Sequence, residues 1–476
     1  MSINLKKLAF PAAIAALALT NTGADAAGTG PKYIGGGATL PAIAYVGKTP
    51  ATTTNPASPA SGSALAYWLA NLTATPGTSL ATYCQTGSGF GKKVLNGTDD
   101  ASLPCAALGT SSVDGTNGFA APTGQKYPDF VGSDAPLSAA EYNTFVTNAG
   151  TSGSKNFGRG EPVQLPAIVG SVAVVYNNSD SSVASLNLTN AQLCKVFDGE
   201  FTNWTQLGAT VSKTIKVIYR LDGSGTTFSF ANHLSSVSAT TGLRDVCTGT
   251  GETYALDQTF TNVLPSPLPT GASTANFSGA SGNPGVIAAV AASDGTIAYA
   301  ETANVLAYNT TSPAPAVPLK LANLNSLNPT TNLPEAAYAI TSSTAIVKDK
   351  AIGSYVANGR PSLTTLAPTT AGCVLLVDPS KYSNPTSGYQ IIGVTNLELS
   401  SAGNSSSYSG NSAVVTDLQN LGYFLSQSGT YPSVTTINSA SSTAGTGTTG
   451  FSSFRLGAAT TLPATIKTAA TGCVGS

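Results

Sequence analysis

The sequence predicts an α/β protein with mostly parallel or mixed sheets. Three observations carry this. Short apolar runs rich in Val and Ile alternate with helix-like segments along much of the chain. The joints between them are rich in Gly, Ser and Thr. Hydrophobic residues make up 41% of the 476 residues while charged ones make up 9%. An ordinary soluble domain has about 25% charged residues. Disorder goes with low hydrophobicity and high net charge, and this chain has neither.

Taken in order, residues 63–72 place Ala64, Leu65, Trp68, Leu69 and Leu72 on one helical face. Phe130-Val131-Gly132 reads as a short strand and 138–146 as the helix after it. Residues 163–170 and 171–176 are nearly continuous apolar runs, the pattern of strands buried on both faces. Thr189-Asn190-Ala191-Gln192 has the form of a capping box opening a helix through Val196. Residues 214–219 read as a strand. Asn283-Pro284 reads as N-cap and first position of a helix through Ala292. Strands follow at 297–300 and 390–394, and a helix at 413–426. Ser/Thr/Pro/Gly-rich stretches at 49–62, 265–285, 310–318, 400–412 and 433–450 read as surface insertions. No internal repeat of solenoid period is present.

Composition excludes several functions. Lys+Arg 21 against Asp+Glu 22 leaves a net charge of −1, with no basic block to neutralise a nucleic-acid backbone. With one histidine, multi-histidine metal sites are impossible, and any His-based catalysis must use His233. That residue sits in Phe230-Ala231-Asn232-His233-Leu234, where a buried helix histidine is the expected reading. No cofactor or metal motif is found; no Walker loop and no C-x-x-C pair exists.

The N-terminus has the order of a secretory signal: Lys6 and Lys7, an apolar run over 8–19, then Ala24-Asp25-Ala26. The expectation is a signal peptide over 1–26 and a periplasmic or secreted protein. Export permits disulfides among the six cysteines. Chain order suggests Cys84–Cys105, Cys194–Cys247 and Cys373–Cys473, one of 15 pairings that six cysteines allow.

Four segments carry chemistry. The first is Gly35-Gly36-Gly37-Ala38-Thr39-Leu40-Pro41, the second Gly87-Ser88-Gly89-Phe90-Gly91, and the third Tyr219-Arg220-Leu221-Asp222-Gly223-Ser224-Gly225-Thr226-Thr227. Glycines let backbone approach a ligand, and hydroxyls with free N–H groups at a helix start favour an anion. An Arg on the same turn adds a charged, multi-donor partner. The fourth is Gly132-Ser133-Asp134-Ala135-Pro136-Leu137, with a carboxylate between a strand and a helix. Any one of these alone reads as an ordinary turn or cap.

Together they resemble the phosphate-binding proteins of bacterial phosphate importers and the related DING-type phosphate binders. Residues 33–41 are similar to the GGGATLP start of the DING group. Residues 87–92 are similar to its GSGKGK segment, 131–138 to the family's aspartate turn, and 219–226 to its YRxDGSGT segment. Further likeness lies at 163–177, 193–204, 282–300 and 458–469. The long insertions and the longer chain depart from the family.

The resemblance implies a two-lobe periplasmic-binding-protein fold (type II), each lobe a mixed sheet flanked by helices, with the ligand in the interlobe cleft. Lobe I is expected over 27–165 and 301–476, and lobe II over 166–300. It implies phosphate contacts from Thr39 and Leu40, from Ser88, and from Arg220, Ser224, Gly225 and Thr226. It also implies that Asp134 accepts a hydrogen bond from the ligand, while Asp222 holds Arg220. Phosphate near neutral pH keeps a proton and sulfate has none, so an ionised Asp134 would pair with one and face only lone pairs on the other. The expected partners are inorganic phosphate and an ABC permease, for a monomer that is not an enzyme. The competing readings are a secreted phosphatase and an extracellular surface protein on the same scaffold.

Overall fold

The structure, a computed structural model, describes residues 32–72, 80–239, 254–332, 346–355, 360–385, 388–403, 412–424, 451–453 and 461–475. The expected signal segment, the Ser/Thr-rich stretch at 433–450 and Cys247 lie outside them.

The first half opens with strand β1 (Lys32–Gly37) and helices α1 (Ala42–Val46), α2 (Lys48–Thr53) and α3 (Ala64–Ala70). Ser63 caps α3 by accepting the Ala66 N–H at 3.3 Å. β2 (Leu80–Gln85), α4 (Ser88–Leu95), β3 (Phe130–Ser133) and α5 (Ala139–Gly150) follow. The α5 start is a capping box between Ser138 and Glu141.

β4 (Pro162–Asn177) is one buried strand where the sequence suggests two, because Gly170 and Ser171 stay in the ladder rather than turning. Beyond β5 (Asn187–Leu188), helix α6 (Asn190–Phe197) carries the capping box read at Thr189 and Gln192. β6 (Lys216–Arg220), α7 (Gly225–Ala239), α8 (Phe260–Val263), β7 (Phe277–Ala280), α9 (Gly282–Ala292), β8 (Thr296–Glu301) and α10 (Thr302–Asn309) complete the middle. The α9 cap is Ser281, not Asn283: the chain turns at Gly282 (φ +65°), whose N–H is taken by Asp222 at 2.9 Å.

Short strands β9 (Lys320–Leu321), β10 (Asn323–Leu324), β11 (Ile346–Lys348), β12 (Lys350–Tyr355), β13 (Pro361–Thr365) and β14 (Leu375–Val377) lead to β15 (Ile392–Ser400). β15 runs six residues past the expected end at Val394, because polar Thr395, Asn396 and Glu398 hide the apolar pattern while remaining buried. Helix α11 (Ser412–Phe424), β16 (Phe451–Ser453) and α12 (Thr461–Cys473) close the chain.

The main sheet has the order β2-β1-β3-β15-β4-β8-β6-β7, with β16 and β9 also pairing with β4. β1 is parallel to β2 and β3, and β6 is parallel to β7 and β8. β4 is the seam. It pairs antiparallel with β15 from Pro162 to Ser171 and with β8 from Val172 to Asn177. This is the mixed α/β arrangement that the sequence predicts and the two-lobe one that the resemblance implies.

Two of the expected disulfides are present, Cys84–Cys105 and Cys373–Cys473, closing 21 and 100 residues. Cys194 is disulfide-bonded; its expected partner, Cys247, lies outside the described residues. The second bridge ties α12 to the segment before β14. Replacing Cys373 and Cys473 together by Ala is expected to lower stability by about 2–4 kcal/mol, since it frees a long loop in the unfolded chain. Denaturant titration of oxidised wild type against the double variant checks this.

Candidate functional site

The functional segments stand at the carboxyl ends of β1, β2, β3 and β6, where open α/β sheets place their ligands. Each turn is shaped by a local need. Gly37 (φ +114°) turns the chain off β1 where a Cβ would lie 2.3 Å from the Gly132 carbonyl. Tyr83 Oη then donates to the Ala38 carbonyl at 2.8 Å and fixes the bend that presents Thr39. Leu40 sends its side chain into the core against Gly393, so a ligand can reach only its backbone. Ser88 is the first residue of α4, after Gly87 at φ +87°. Behind it on α4, buried Lys92 donates to Glu141 at 2.8 Å and to the Pro136 carbonyl at 3.3 Å, holding the Asp134 turn against that helix.

On the other half, Tyr299 of β8 stacks on Phe230 and uses its hydroxyl to accept the Arg220 N–H at 3.1 Å. Arg220 is buried and forked onto Asp222, with Nε–Oδ1 2.8 Å and Nη2–Oδ2 2.5 Å. Its Nη1 donates to Thr226 Oγ1 at 3.1 Å. Ser224 caps α7: its Oγ accepts the Thr227 N–H at 3.0 Å, leaving its own hydroxyl hydrogen for a ligand.

One atom bridges the two halves directly. Ser88 Oγ accepts the Asp134 N–H at 3.1 Å and, across the cleft, the Gly225 N–H at 3.2 Å. A second strut joins Gly89 N–H to the Gly223 carbonyl at 2.9 Å. Thr39 is linked to the other half through Asn283, whose Nδ2 donates to Thr39 Oγ1 at 3.0 Å and Thr226 Oγ1 at 3.4 Å. Thus Thr39, Ser88, Asp134, Arg220, Asp222, Gly225 and Thr226 form linked hydrogen-bonded groups, with Leu40 and Ser224 adjoining. Thr39, Leu40, Ser88, Asp134, Arg220, Ser224 and Thr226 are all buried. At the mouth of the cleft, a cavity of about 600 Å³ is lined by Gly89 and Lys93 on one side and by Leu221, Asp222 and Asp257 on the other.

Sequence reading missed two residues of the site. Thr395 on β15 donates its hydroxyl to Asp134 Oδ1 at 2.6 Å. Nothing local marks it, since its partner lies 261 residues away. Asn283 had a signal, a polar residue at a helix start, but that signal reads as a cap.

Burial pushes the Asp134 carboxyl up to about 7; the Thr395 bond, the Arg220 charge and Ser88 offset part of the rise. Burial also works against the Arg220 charge, yet the Asp222 carboxylate holds its pKa above the usual value. The site is one ionisable acceptor set among N–H, O–H and guanidinium donors. Such an array suits an oxyanion that keeps one hydrogen. His233 stands apart from it, with Nδ1 on the Ser383 carbonyl at 3.0 Å and Nε2 on Asn190 Oδ1 at 3.1 Å. Among the described residues no group of three or more His, Cys, Asp or Glu could hold a metal ion.

A two-lobe sheet joined by a shared strand, with an oxyanion-type cleft at the strand ends, defines the class of type II periplasmic binding proteins. The chain belongs to the PBP superfamily, whose domain profile matches residues 46–360. Alkaline phosphatase L of Pseudomonas aeruginosa is 31% identical over 369 residues, spanning 76% of this chain and 73% of that protein. A second relative of that name is matched over 64% of its length at 30% identity. The phosphate-binding protein PstS of Xylella fastidiosa is 34% identical over 120 residues, 23% of this chain and 29% of its own. Among solved structures, a high affinity periplasmic phosphate-binding protein (PfluDING) shares the fold, with TM-score 0.53 and 23% identity over 92% of this chain and 93% of its own. The phosphate-binding protein from Stenotrophomonas maltophilia shares it at TM-score 0.50 and 22% identity, over 82% and 83%.

Two outcomes follow from the geometry. A Cβ at residue 225 would lie 2.4 Å from Ser88 Oγ and 2.5 Å from Asp134 Cβ, so Gly225→Ala is expected to hold the halves apart. Small-angle scattering should then give a larger radius of gyration for the variant; equal radii would remove the closure role of Gly225. For Asp134, the folded pKa lies above the unfolded value, so its contribution to stability is full below about 4 and lost as pH rises through about 7. Without ligand, Asp134→Asn should therefore be more stable than wild type above pH 7, by on the order of 2–4 kcal/mol, with the gap closing toward pH 4. Thermal melts across pH read this directly.

Proposed function

We propose that this chain captures inorganic phosphate between its two lobes and hands it to an ABC-type importer, as an exported monomer. The observation that carries the reading is the buried acid Asp134, placed beside donors from both halves at the Ser88 junction. Ionised, it accepts the hydrogen that phosphate keeps. Against sulfate it would face lone pairs, and an unpaired buried acceptor costs about 1–3 kcal/mol. Thr39, Leu40, Ser88, Ser224 and Thr226 supply donors, Gly225 borders the ligand with its N–H shared with Ser88, Arg220 supplies charge, and Asp222 orients it. Names of the relatives, PstS among them, support the ligand class.

The cage is closed, so ligand entry requires the lobes to part. We take lobe I as 27–165 with 301–476 and lobe II as 166–300. The hinge contact that supports a swing is between the two crossings. Ser171 Oγ donates to Thr302 Oγ1 at 2.6 Å, just where β4 changes partner and β8 ends.

The name of the Pseudomonas aeruginosa relative favours a second reading, phosphomonoester hydrolysis. Hydrogen-bond inventory supports binding over it. Ser88 Oγ receives two N–H donors, which occupy the lone pairs that an attacking hydroxyl needs. Turnover of a chromogenic phosphomonoester by purified protein, lost on Asp134→Asn, would favour the enzyme.

Calorimetry with phosphate, and with sulfate as competitor, tests the main reading. Arg220→Ala should cost about 2–5 kcal/mol of phosphate affinity, since it removes the charge and strands Asp222. Asp134→Ala should weaken phosphate and narrow its advantage over sulfate. Wild-type affinity in the Arg220 variant would place the pocket elsewhere, and unchanged selectivity in the Asp134 variant would remove its assigned role.

A further inference from the structure

We propose that Asn283 is a positioning residue that compels the Thr39 and Thr226 hydroxyls, one from each lobe, to act only as hydrogen-bond donors toward the anion. The inference rests on the phosphate reading above and concerns how the same site senses the hydrogens of its ligand.

A hydroxyl has one hydrogen to give and two lone pairs to accept with. Thr39 Oγ1 accepts twice, from the Asn283 backbone N–H at 3.2 Å and from Asn283 Nδ2 at 3.0 Å. Thr226 Oγ1 also accepts twice, from Arg220 Nη1 at 3.1 Å and from Asn283 Nδ2 at 3.4 Å. Each oxygen is saturated as an acceptor, so what remains is its hydrogen, aimed at a third group. The Asn283 amide cannot turn over to relieve this. Its Oδ1 accepts the Glu301 backbone N–H at 3.1 Å, a group that can only donate, so the NH2 end must face the threonines. Asn283 is fully buried, and water does not compete for these bonds.

The consequence is a site with one place for a ligand hydrogen. Asp134 takes the first. A second hydrogen, which phosphate gains below neutral pH, would meet the Thr39 and Thr226 hydroxyls head-on. The charged or titratable groups around Asn283 are Arg220 and Asp222 beside β6, Glu301 at the end of β8, and Asp134 across the cleft. Lys216 is exposed at the far end of β6; the remaining titratable groups on the packed elements are tyrosines, Tyr176 of β4, Tyr219 of β6, Tyr299 of β8 and Tyr308 of α10, and β7 contributes none. Asp134 itself titrates in the range of interest, so a wild-type pH profile alone is not diagnostic; the contrast between variants is.

The test is phosphate affinity by calorimetry from mildly alkaline to mildly acid pH in wild type, Asn283→Ala and Asn283→Asp. Sulfate, which carries no hydrogen across this range, is run alongside to report the protein's own titration. Circular dichroism and melting confirm that each variant is folded. Wild type should weaken as pH falls. Asn283→Ala should lose about tenfold at alkaline pH and show a flatter acid limb, because the freed hydroxyls can now accept. Asn283→Asp keeps an acceptor for the Glu301 N–H but presents a second acceptor to both threonines. Their hydrogens turn to it, so affinity should fall by more than tenfold at alkaline pH and recover as pH falls. Parallel phosphate profiles in all three proteins would overturn the inference while leaving phosphate binding intact. A wild-type protein that binds no phosphate at any pH would overturn the ligand reading and this inference with it.

Discussion

The Ser88 hydroxyl oxygen is the point on which the site depends. It accepts one N–H from the Asp134 turn and one from Gly225 on the opposite lobe. Three segments far apart in sequence therefore agree on one position within hydrogen-bond tolerance. This explains why glycine is needed where it is. Residue 225 has no room for a side chain between Ser88 and Asp134, and Gly89 meets Gly223 backbone to backbone. In the proposed reading, the same junction would convert a hinge motion into assembly of a binding site, because the donors of one lobe would be completed only when the other arrives.

The fold was largely legible in the sequence, for a physical reason. Buried strands and capped helices are local: the apolar run of β4, the capping box at Thr189 and the helical face of Ala64, Leu65, Trp68 and Leu69 each declare themselves within a few residues. The errors came where tertiary bonds override local signals. Gly170-Ser171 looks like a break, yet β15 holds both residues in the ladder and β16 pairs with Gly170 from the other side. Asn283 looks like a cap, but its amide serves two threonines and a strand N–H instead. Polar residues in β15 masked its length. The segments expected to carry the site do converge, because Gly/Ser-rich turns after strands are local too. Thr395, which braces Asp134 from a strand late in the chain, had no sequence signature at all.

Charge poverty makes each buried ionisable group informative. A buried cation without a partner is costly, and both buried cations near the site have one: Lys92 with Glu141, and Arg220 with Asp222. Buried acids are treated differently. Burial raises Asp134 to about 7, Glu301 to about 8 and Glu398 to about 8. Glu301 is compensated by the Ala303 and Asn304 N–H groups as the cap of α10. Glu398 has no hydrogen-bond partner for either oxygen among the described residues, so its neutral form is the one that packs. Asp134 lies between these cases, close to the pH at which phosphate itself exchanges a hydrogen.

That placement ties recognition to protonation. A carboxyl far below neutrality would stay charged whether or not a ligand hydrogen arrived, and one far above would offer a hydrogen of its own and welcome sulfate. Held near neutrality by burial, and drawn downward by Thr395, Ser88 and the Arg220 charge, an Asp134 that binds phosphate as proposed would respond to what occupies the cleft. An oxyanion bringing a hydrogen lets the carboxylate remain ionised beside Arg220, so the attraction and the hydrogen bond reinforce each other. An oxyanion without one forces the carboxyl to take up a proton, at a cost that grows with pH. Selectivity in such a cage is therefore set by the neighbours that tune the acid as much as by the acid.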